Sequence, residues 1–174
     1  MVKGLSHRDQ NTHDQTIHSF KKIFHGHGHK LQKVTELAQK IKEGIEKISP
    51  FIQQNTQAVC PECKDVCCIN KHGYYNYEDL IYIHALGLNP PDYKFVRNDT
   101  DPCQFLSENG CSLERSIRPS GCNWYFCGSL LERMERSRDY QEFDDSLLEV
   151  VTLWMALMDE FAQVTTILNP PDSA

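Results

Sequence analysis

The sequence predicts a mainly α-helical protein in which helices at both ends pack together around a loop-rich cysteine core. Three observations predict this architecture. Near each end of the chain, apolar residues recur at alternating steps of three and four, which is the spacing of one helix face. All eight cysteines lie between Cys60 and Cys127, in a stretch broken by turn signals. At 174 residues, one compact unit is the expected organisation.

Four segments are expected along this unit: a flexible N-terminus at 1–15, an N-terminal helical segment at 16–56, a cysteine-rich region at 57–128 and a C-terminal helical segment at 129–174. The net charge is −6, and residues 129–174 carry three basic against ten acidic residues. There is no dense basic patch with interleaved aromatic residues, so no nucleic-acid partner is expected. No run approaches about 18 apolar residues, and the polar start has no signal-like apolar stretch. We therefore expect a cytoplasmic protein with no membrane partner.

The N-terminal segment is predicted to form two helices that share one apolar seam. Gly26 and Gly28 each weaken a helix by about 1 kcal/mol, so we expect a short helix at about 15–25 and a long one at about 29–48. Ser49-Pro50 is predicted to end the long helix, with a further turn after it. The N-terminal seam consists of Ile17, Phe20, Phe24, His27, Leu31, Val34, Ala38, Ile41, Ile45, Ile48 and Ile52.

A short capped helix and a small hairpin are predicted in the middle of the chain. Asn76 is the expected N-cap of this helix, and Asp79 three residues later is its capping-box partner. Gly87 is the expected left-handed residue just past the helix end. Farther on, a tight turn at Gly110 predicts that the residues on either side of it pair as a hairpin.

The C-terminal segment is predicted to contain two helices. One begins near Trp124, with Leu130 and Met134 on one face, and the other runs from Tyr140 or Asp144 to Leu168. The last helix carries a second seam of Leu147, Val151, Trp154, Met158, Phe161, Thr165 and Leu168, which is backed by Val150, Leu153, Leu157 and Val164. So wide an apolar face needs cover, and the long N-terminal helix is the expected partner.

The crowding of the cysteines indicates metal chemistry. In a reducing cytosol it favours metal or redox chemistry over structural disulfides, although a disulfide framework stays an open alternative. Cys60 and Cys63 have the spacing at which two thiolates converge on one ion. The adjacent Cys67 and Cys68 point to two sites, or to two corners of a cluster. The eight candidate ligands are Cys60, Cys63, Cys67, Cys68, Cys103, Cys111, Cys122 and Cys127.

The thiol count does not choose the metal. Eight thiols fit two four-thiolate zinc sites, or one cubane iron–sulfur cluster with four thiols left over. Cys127 is expected at the start of the helix that follows it, where the helix dipole favours an anion. His72 or His84 is an alternative ligand, although His84 has the apolar neighbours of a core histidine. Arg118 is expected either to neutralise an anionic cluster or to pair with a carboxylate such as that of Glu114.

A second candidate site is the run of His25, His27 and His29, which are separated by single glycines. These imidazoles would suit Ni²⁺, Cu²⁺ or Zn²⁺ if the segment were extended, because alternate residues then share a side. The competing interpretation is a flexible turn between two helices.

The cysteine region resembles the YkgJ-type cysteine-cluster family, which is described as zinc- or iron-chelating. The resemblance covers about residues 58–128, with two departures: three residues rather than two precede the CC pair, and Leu113-Glu114 replaces an Ile-Tyr-like pair. The cluster of that family is similar to one of iron–sulfur type in a lysine N-methylase, so the resemblance implies a [4Fe–4S] cluster, with zinc as the alternative. The motifs that carry it are CPECKDVCC, Phe105-Leu106 after Cys103, Gly110-Cys111, and Arg118-Pro119 before Cys122 and Cys127.

Three functions are therefore expected. The first is a metal-binding protein whose iron–sulfur cluster has a redox or structural role. The second is a zinc-chelating structural or interaction module, whose N-terminal seam docks a partner protein or a second copy. The third is a cluster-dependent redox or methyl-transfer enzyme. No catalytic residue is assigned, because the chain has no Gly-x-Ser-x-Gly, Walker A, HExxH or Rossmann pattern.

Overall fold

The computed structural model of the chain describes residues 10–62, 73–92, 94–95, 101–108 and 110–168. This part of the chain is mainly helical, as predicted, with six α-helices and one two-stranded antiparallel sheet. None of its helices is long and apolar enough to cross a membrane. The elements are α1 (Gln10–His27), α2 (Gln32–Val59), α3 (Tyr77–Ala85), β1 (Leu106–Ser107), β2 (Gly110–Cys111), α4 (Gly121–Trp124), α5 (Gly128–Glu135) and α6 (Tyr140–Leu168).

Helices α2 and α6 pack along each other and form the centre of the fold. The N-terminal seam lies in this interface, where Val34, Ala38, Ile41 and Ile45 are fully buried. The predicted pairing of the N-terminal seam with the C-terminal helix is confirmed. Lys33 Nζ lies 2.5 Å from Glu160 Oε2 across the same interface. Because the Lys33 side chain is mostly exposed, this ion pair adds at most about 1 kcal/mol.

Helix α2 continues through Pro50, so its predicted end at Ser49-Pro50 is wrong. A proline inside a helix costs about 3 kcal/mol, because a hydrogen bond is lost and the ring crowds the preceding turn. The seam carries on past it, however, with Ile48 and Ile52 only 2% and 1% exposed. Burial of each side chain contributes about 1.5–3 kcal/mol, which offsets that cost. These two residues pack in a second hydrophobic cluster with Leu130, Met134 and Phe143.

The first helix begins at Gln10, inside the stretch that was expected to be flexible. Its end agrees with the prediction: α1 stops at His27, and a 3₁₀ turn at Gly28–Lys30 separates it from α2. Phe20 is buried, and Phe24 is half-buried against the core. Because these apolar side chains pack on the core, α1 stays helical at Gly26, near its end, despite the low helix propensity of glycine.

The buried face of α6 is turned by about one residue from the predicted seam. Trp154 and Phe161 are buried as expected, and Val150 and Leu157, which were expected to back the seam, are buried beside them, while Val151 and Met158 are only half-buried. Apolar residues lie on both sides of the Trp154–Phe161 line, so the pattern alone fits either face. The approach of α2 decides between them, since Val150 is the residue that meets α2 closely.

Gly44 sets that close approach. A Cβ added at Gly44 would lie 2.6 Å from Cγ2 of Val150, whereas nothing lies within 4 Å of a Cβ added at Gly26. Replacing Gly44 with leucine should therefore lower the free energy of unfolding by about 2 kcal/mol through overpacking, as measured by urea denaturation. Gly26→Leu in α1 is the matched control and should not destabilise the protein. Equal effects at the two glycines would contradict the close packing at Gly44.

Helix α3 has the predicted capping box. The Asn76 Oδ1 accepts from the Asp79 N–H at 2.8 Å, and the Asn76 N–H donates to Asp79 Oδ2 at 2.9 Å. Gly87 lies just past the helix with φ +73°, a conformation that favours glycine. Every residue from Asp79 to Ala85 is buried, so α3 is a core helix on which neighbouring elements pack.

The predicted hairpin is also present. Leu106 pairs with Cys111 and Ser107 with Gly110, in antiparallel register. The Ser112 N–H donates to the Phe105 carbonyl at 2.8 Å, which extends the pairing by one residue. Gly110 has φ +99°, so the turn depends on glycine at this position. The hairpin therefore fixes the backbone at Cys111.

Candidate metal centre

Five of the eight predicted cysteine ligands lie within the described residues. Cys111, Cys122 and Cys127 are free thiols, which counts against a disulfide framework at these three positions. Cys122 is exposed and the others are half-buried. Cys63, Cys67 and Cys68 lie outside the described residues, as does His72.

Cys103 and Cys111 both influence the Cys122 thiol electrostatically, and we call these three cysteines the three-thiol group. They lie on separate elements, namely the loop before β1, strand β2 and helix α4. Burial of the Cys122 thiol, and then the neighbouring Cys111 and Cys103 thiols, raise its pKa to about 11. Like charges that come close disfavour ionisation, so the Cys111 and Cys103 thiols both act on the Cys122 thiol. The Cys122 residue as a whole is exposed.

Two arginines accompany the three-thiol group. Arg115 Nη1 donates to the Cys122 carbonyl at 3.1 Å, and Arg118 Nε donates to the Leu113 carbonyl at 2.9 Å. Both cations lower the pKa of the Cys122 thiol, against the larger opposing effects of burial and the other thiols. Among the described residues Arg118 forms no ion pair with Glu114. Arg118 thus lies where it would offset negative charge on the thiols.

Helix α3 holds the segment that leads to Cys122. The Ser120 N–H donates to Asp79 Oδ1 at 2.9 Å, and the Tyr82 hydroxyl donates to the Ser116 carbonyl at 2.9 Å. The Tyr75 hydroxyl donates to the Ile117 carbonyl. Asp79 is 3% exposed, and burial raises its pKa, although hydrogen bonds from Ser120 and Asn76 lower it. Sequence reasoning found Asp79 only as a capping residue and missed both tyrosines as site residues.

Gly73 lies directly against the three-thiol group. A Cβ added at Gly73 would lie 3.1 Å from Cys103 Sγ and 2.8 Å from the Phe105 ring, and the residue has φ +66°. Gly73 is the first described residue after Cys68 in the chain. The described chain therefore resumes beside Cys103 after the stretch that carries the three remaining cysteines.

Cys127 lies in a different environment. It is the N-cap of α5, as its spacing predicted, and its side chain packs on the second hydrophobic cluster. Val59, directly before Cys60, packs on the same cluster. Cys60 itself opens the 3₁₀ turn at the end of α2. The structure thus places Cys103 and Cys111 within electrostatic reach of Cys122 and packs Cys127 on a hydrophobic cluster.

The three-thiol group is not by itself a formed metal site. Within the described ranges, no group of three or more His, Cys, Asp or Glu side chains is arranged to hold a metal ion. The metal-bound core of the predicted architecture therefore stays a prediction.

The run of alternating histidines is not extended. His25 lies in α1, where its Nδ1 is 2.9 Å from the Lys21 carbonyl oxygen, and His27 is the last residue of that helix. His29 lies in the 3₁₀ turn. Alternate side chains on a helical backbone point in different directions, so these three imidazoles do not share one side.

His84 is a core histidine, as its apolar neighbours indicated. It is 6% exposed, and its ring centroid lies 5.6 Å from that of Phe20 and 6.2 Å from that of Phe24. Its Nε2 is buried, and no described residue forms a hydrogen bond with it. The imidazole therefore packs as a neutral ring between α3 and α1.

Acid should destabilise the protein through His84. Burial, and then the cations Lys21 and His25, lower its pKa from 6.5 to about 4. Since the folded-state pKa is depressed, this contribution to stability is complete above pH 6.5 and is lost as the pH falls through about 4, by roughly 3 kcal/mol in all. Urea denaturation across this range should show a steeper fall for the native protein than for His84→Leu. Identical pH profiles would rule out this role.

The fold and the site define a mainly helical protein in which the buried helix α3 holds the segment before Cys122, one of three thiols linked by electrostatics. No family model, curated protein or solved structure matches the chain. The resemblance to the YkgJ-type family accordingly stays a prediction from the cysteine motif.

Proposed function

We propose that the chain is a metal-binding protein whose cysteines hold an iron–sulfur cluster, of the [4Fe–4S] type, through ligands that include Cys103, Cys111 and Cys122. One observation carries this proposal: the fold brings the Cys103 and Cys111 thiols, from separate elements, close enough to raise the pKa of the Cys122 thiol. A thiol whose ionisation is disfavoured in this way gains from a bound cation, because the cation inverts the local charge balance.

The surroundings fit such a group. A cluster or an ion held by four thiolates carries net negative charge, and the cations Arg115 and Arg118 both favour the Cys122 thiolate. Three hydrogen bonds, one to Tyr75 and two to side chains of α3, hold residues 116, 117 and 120 just before Cys122. When bound, the cluster would supply one-electron redox chemistry or a structural cross-link.

The choice of iron–sulfur over zinc depends on the sequence. The YkgJ-type resemblance implies a cluster, and the adjacent Cys67 and Cys68 fit two corners of a cluster. One of the three cysteines outside the described residues is the expected fourth ligand, because the described chain resumes at Gly73 beside Cys103 Sγ. A four-thiolate zinc site fits the same three described thiols. The experiment must therefore distinguish a zinc site from an iron–sulfur cluster.

No observation favours the enzymatic alternative over these two. A cavity of about 330 Å³ lies against α1 and is lined by Thr12, Thr16, Phe20 and Tyr77, among others, but by no cysteine. A redox or methyl-transfer activity would need a substrate cavity beside the thiols. We therefore propose metal binding without a catalytic step.

Elemental analysis with a visible spectrum tests the proposal. Protein purified without oxygen should be brown, with a broad absorbance near about 400 nm from thiolate–iron charge transfer, and should contain iron and acid-labile sulfide. A colourless protein with stoichiometric zinc would support the zinc module instead. A folded, metal-free protein that takes up neither metal would overturn both.

A further inference from the structure

Helix α6 has a second apolar stripe outside its fully buried face. The α6 outer stripe consists of Leu148, Val151, Met155, Met158 and Ala162, which follow one another at steps of three and four. Leu148 is 66% exposed and Met155 is 56% exposed. Ala162 is also exposed, and the other two are half-buried. This spacing describes one continuous helix face, so the stripe is a surface rather than a set of scattered apolar residues.

The charges on α6 itself all have one sign. Between Tyr140 and Leu168, α6 has no lysine, arginine or histidine. One of its acids, Glu160, pairs with Lys33 of α2, and the other five are exposed. The six acidic residues are Glu142, Asp144, Asp145, Glu149, Asp159 and Glu160.

We propose that the α6 outer stripe is a docking surface for an amphipathic helix of a partner protein, with lysine or arginine residues on both sides of its apolar face. Such a helix would bury Leu148 and Met155 and place cations against the exposed acids of α6. Complementary charge of this kind sets specificity and orientation at helical interfaces.

The same charges argue against other occupants. A second copy that docked through its own α6 would place Asp144, Glu149 and Asp159 against acids of the same sign. An anionic membrane surface would be repelled for the same reason. The α2 part of the N-terminal seam, which was expected to dock a partner or a second copy, is already buried, and α2 packs along α6.

The experiment uses the full chain and a labelled synthetic peptide of leucine and lysine, with the leucines at three–four helical spacing, followed by fluorescence anisotropy. We expect saturable binding to the native chain. A peptide of the same composition with the leucines spread evenly, and a striped peptide with glutamate in place of lysine, should not bind.

Two variants locate the site. Met155→Glu should weaken binding by about tenfold or more, since the desolvated side chain is lost from the contact. Ile167→Glu is the matched control: Ile167 is 70% exposed on the same helix but off the stripe, and binding should be unchanged. Because both variants add one acid, purely electrostatic binding would be equal or stronger in both.

Three results would overturn the proposal. The first is no binding of the striped basic peptide, and the second is an equal response of the two variants. The third is a concentration-dependent dimer in sedimentation that Met155→Glu dissociates, since this would assign the stripe to a second copy. None of these results depends on whether the thiols hold a metal.

Discussion

Replacing Cys122 with serine should remove the metal or cluster from the three-thiol group. Cys122 is the residue whose thiol both Cys103 and Cys111 influence. A serine hydroxyl is a poor ligand for the soft metals that thiolates bind. Loss of a directly coordinating sulfur should weaken metal retention by more than the roughly 10–100-fold that outer-shell changes cost. The absorbance near about 400 nm and the iron content per chain should both fall to background.

Cys127→Ser is the matched control for this variant. Cys127 packs on the second hydrophobic cluster beside α5 rather than with the three thiols, so its replacement should leave the iron of the three-thiol group in place. Helix content should persist in both variants, because the largest core cluster lies along α2, α3 and α6 and contains no cysteine. Loss of the metal in Cys127→Ser alone would show that the three-thiol group is not the metal site.

The elements that the sequence predicted well are those set by local chemistry. The N-terminal seam needs only its three–four spacing, and the capping box needs only Asn76 and Asp79 three residues apart. The hairpin follows from one glycine with positive φ at Gly110. In each case the pattern and the contact lie within a few residues of each other.

The errors arise where packing between residues far apart in the sequence determines where a helix ends or which face it buries. Pro50 predicts a helix end, yet the burial of Ile48 and Ile52 in the second cluster keeps α2 continuous. The buried face of α6 depends on the gap that Gly44 leaves for Val150. The sequence of one helix alone predicts neither effect, because each depends on contact with residues from a distant part of the chain.

The candidate site was predicted in part for the same reason. Its residue types were evident from eight cysteines, but spacing gave no means to separate Cys127 from Cys103, Cys111 and Cys122. The hydrogen bond from Tyr75 to the Ile117 carbonyl joins residues 42 positions apart, and no local pattern marks such a contact. The segregation of the cysteines is a property of the three-dimensional fold.

Asp79→Ala should produce the largest loss of stability of any single change considered for this chain, about 4 kcal/mol. The carboxylate accepts from the Asn76 N–H and from the Ser120 N–H, and the residue is 3% exposed. Alanine would remove the cap interaction, worth about 1 kcal/mol. It would also leave the Ser120 donor buried without a partner, at about 1–3 kcal/mol, and a void in the core.

The same variant should also weaken metal binding, because the Asp79–Ser120 bond fixes the backbone two residues before Cys122. Asn76→Ala is the matched control: it removes the other half of the capping box and keeps Asp79 Oδ1 on Ser120. It should cost only about 1 kcal/mol and retain the metal. Urea denaturation of the metal-free proteins gives the stability difference, and metal competition with a chelator gives the affinity. If Asn76→Ala matched Asp79→Ala in both measurements, the link from α3 to the Cys122 segment would have no role beyond capping the helix.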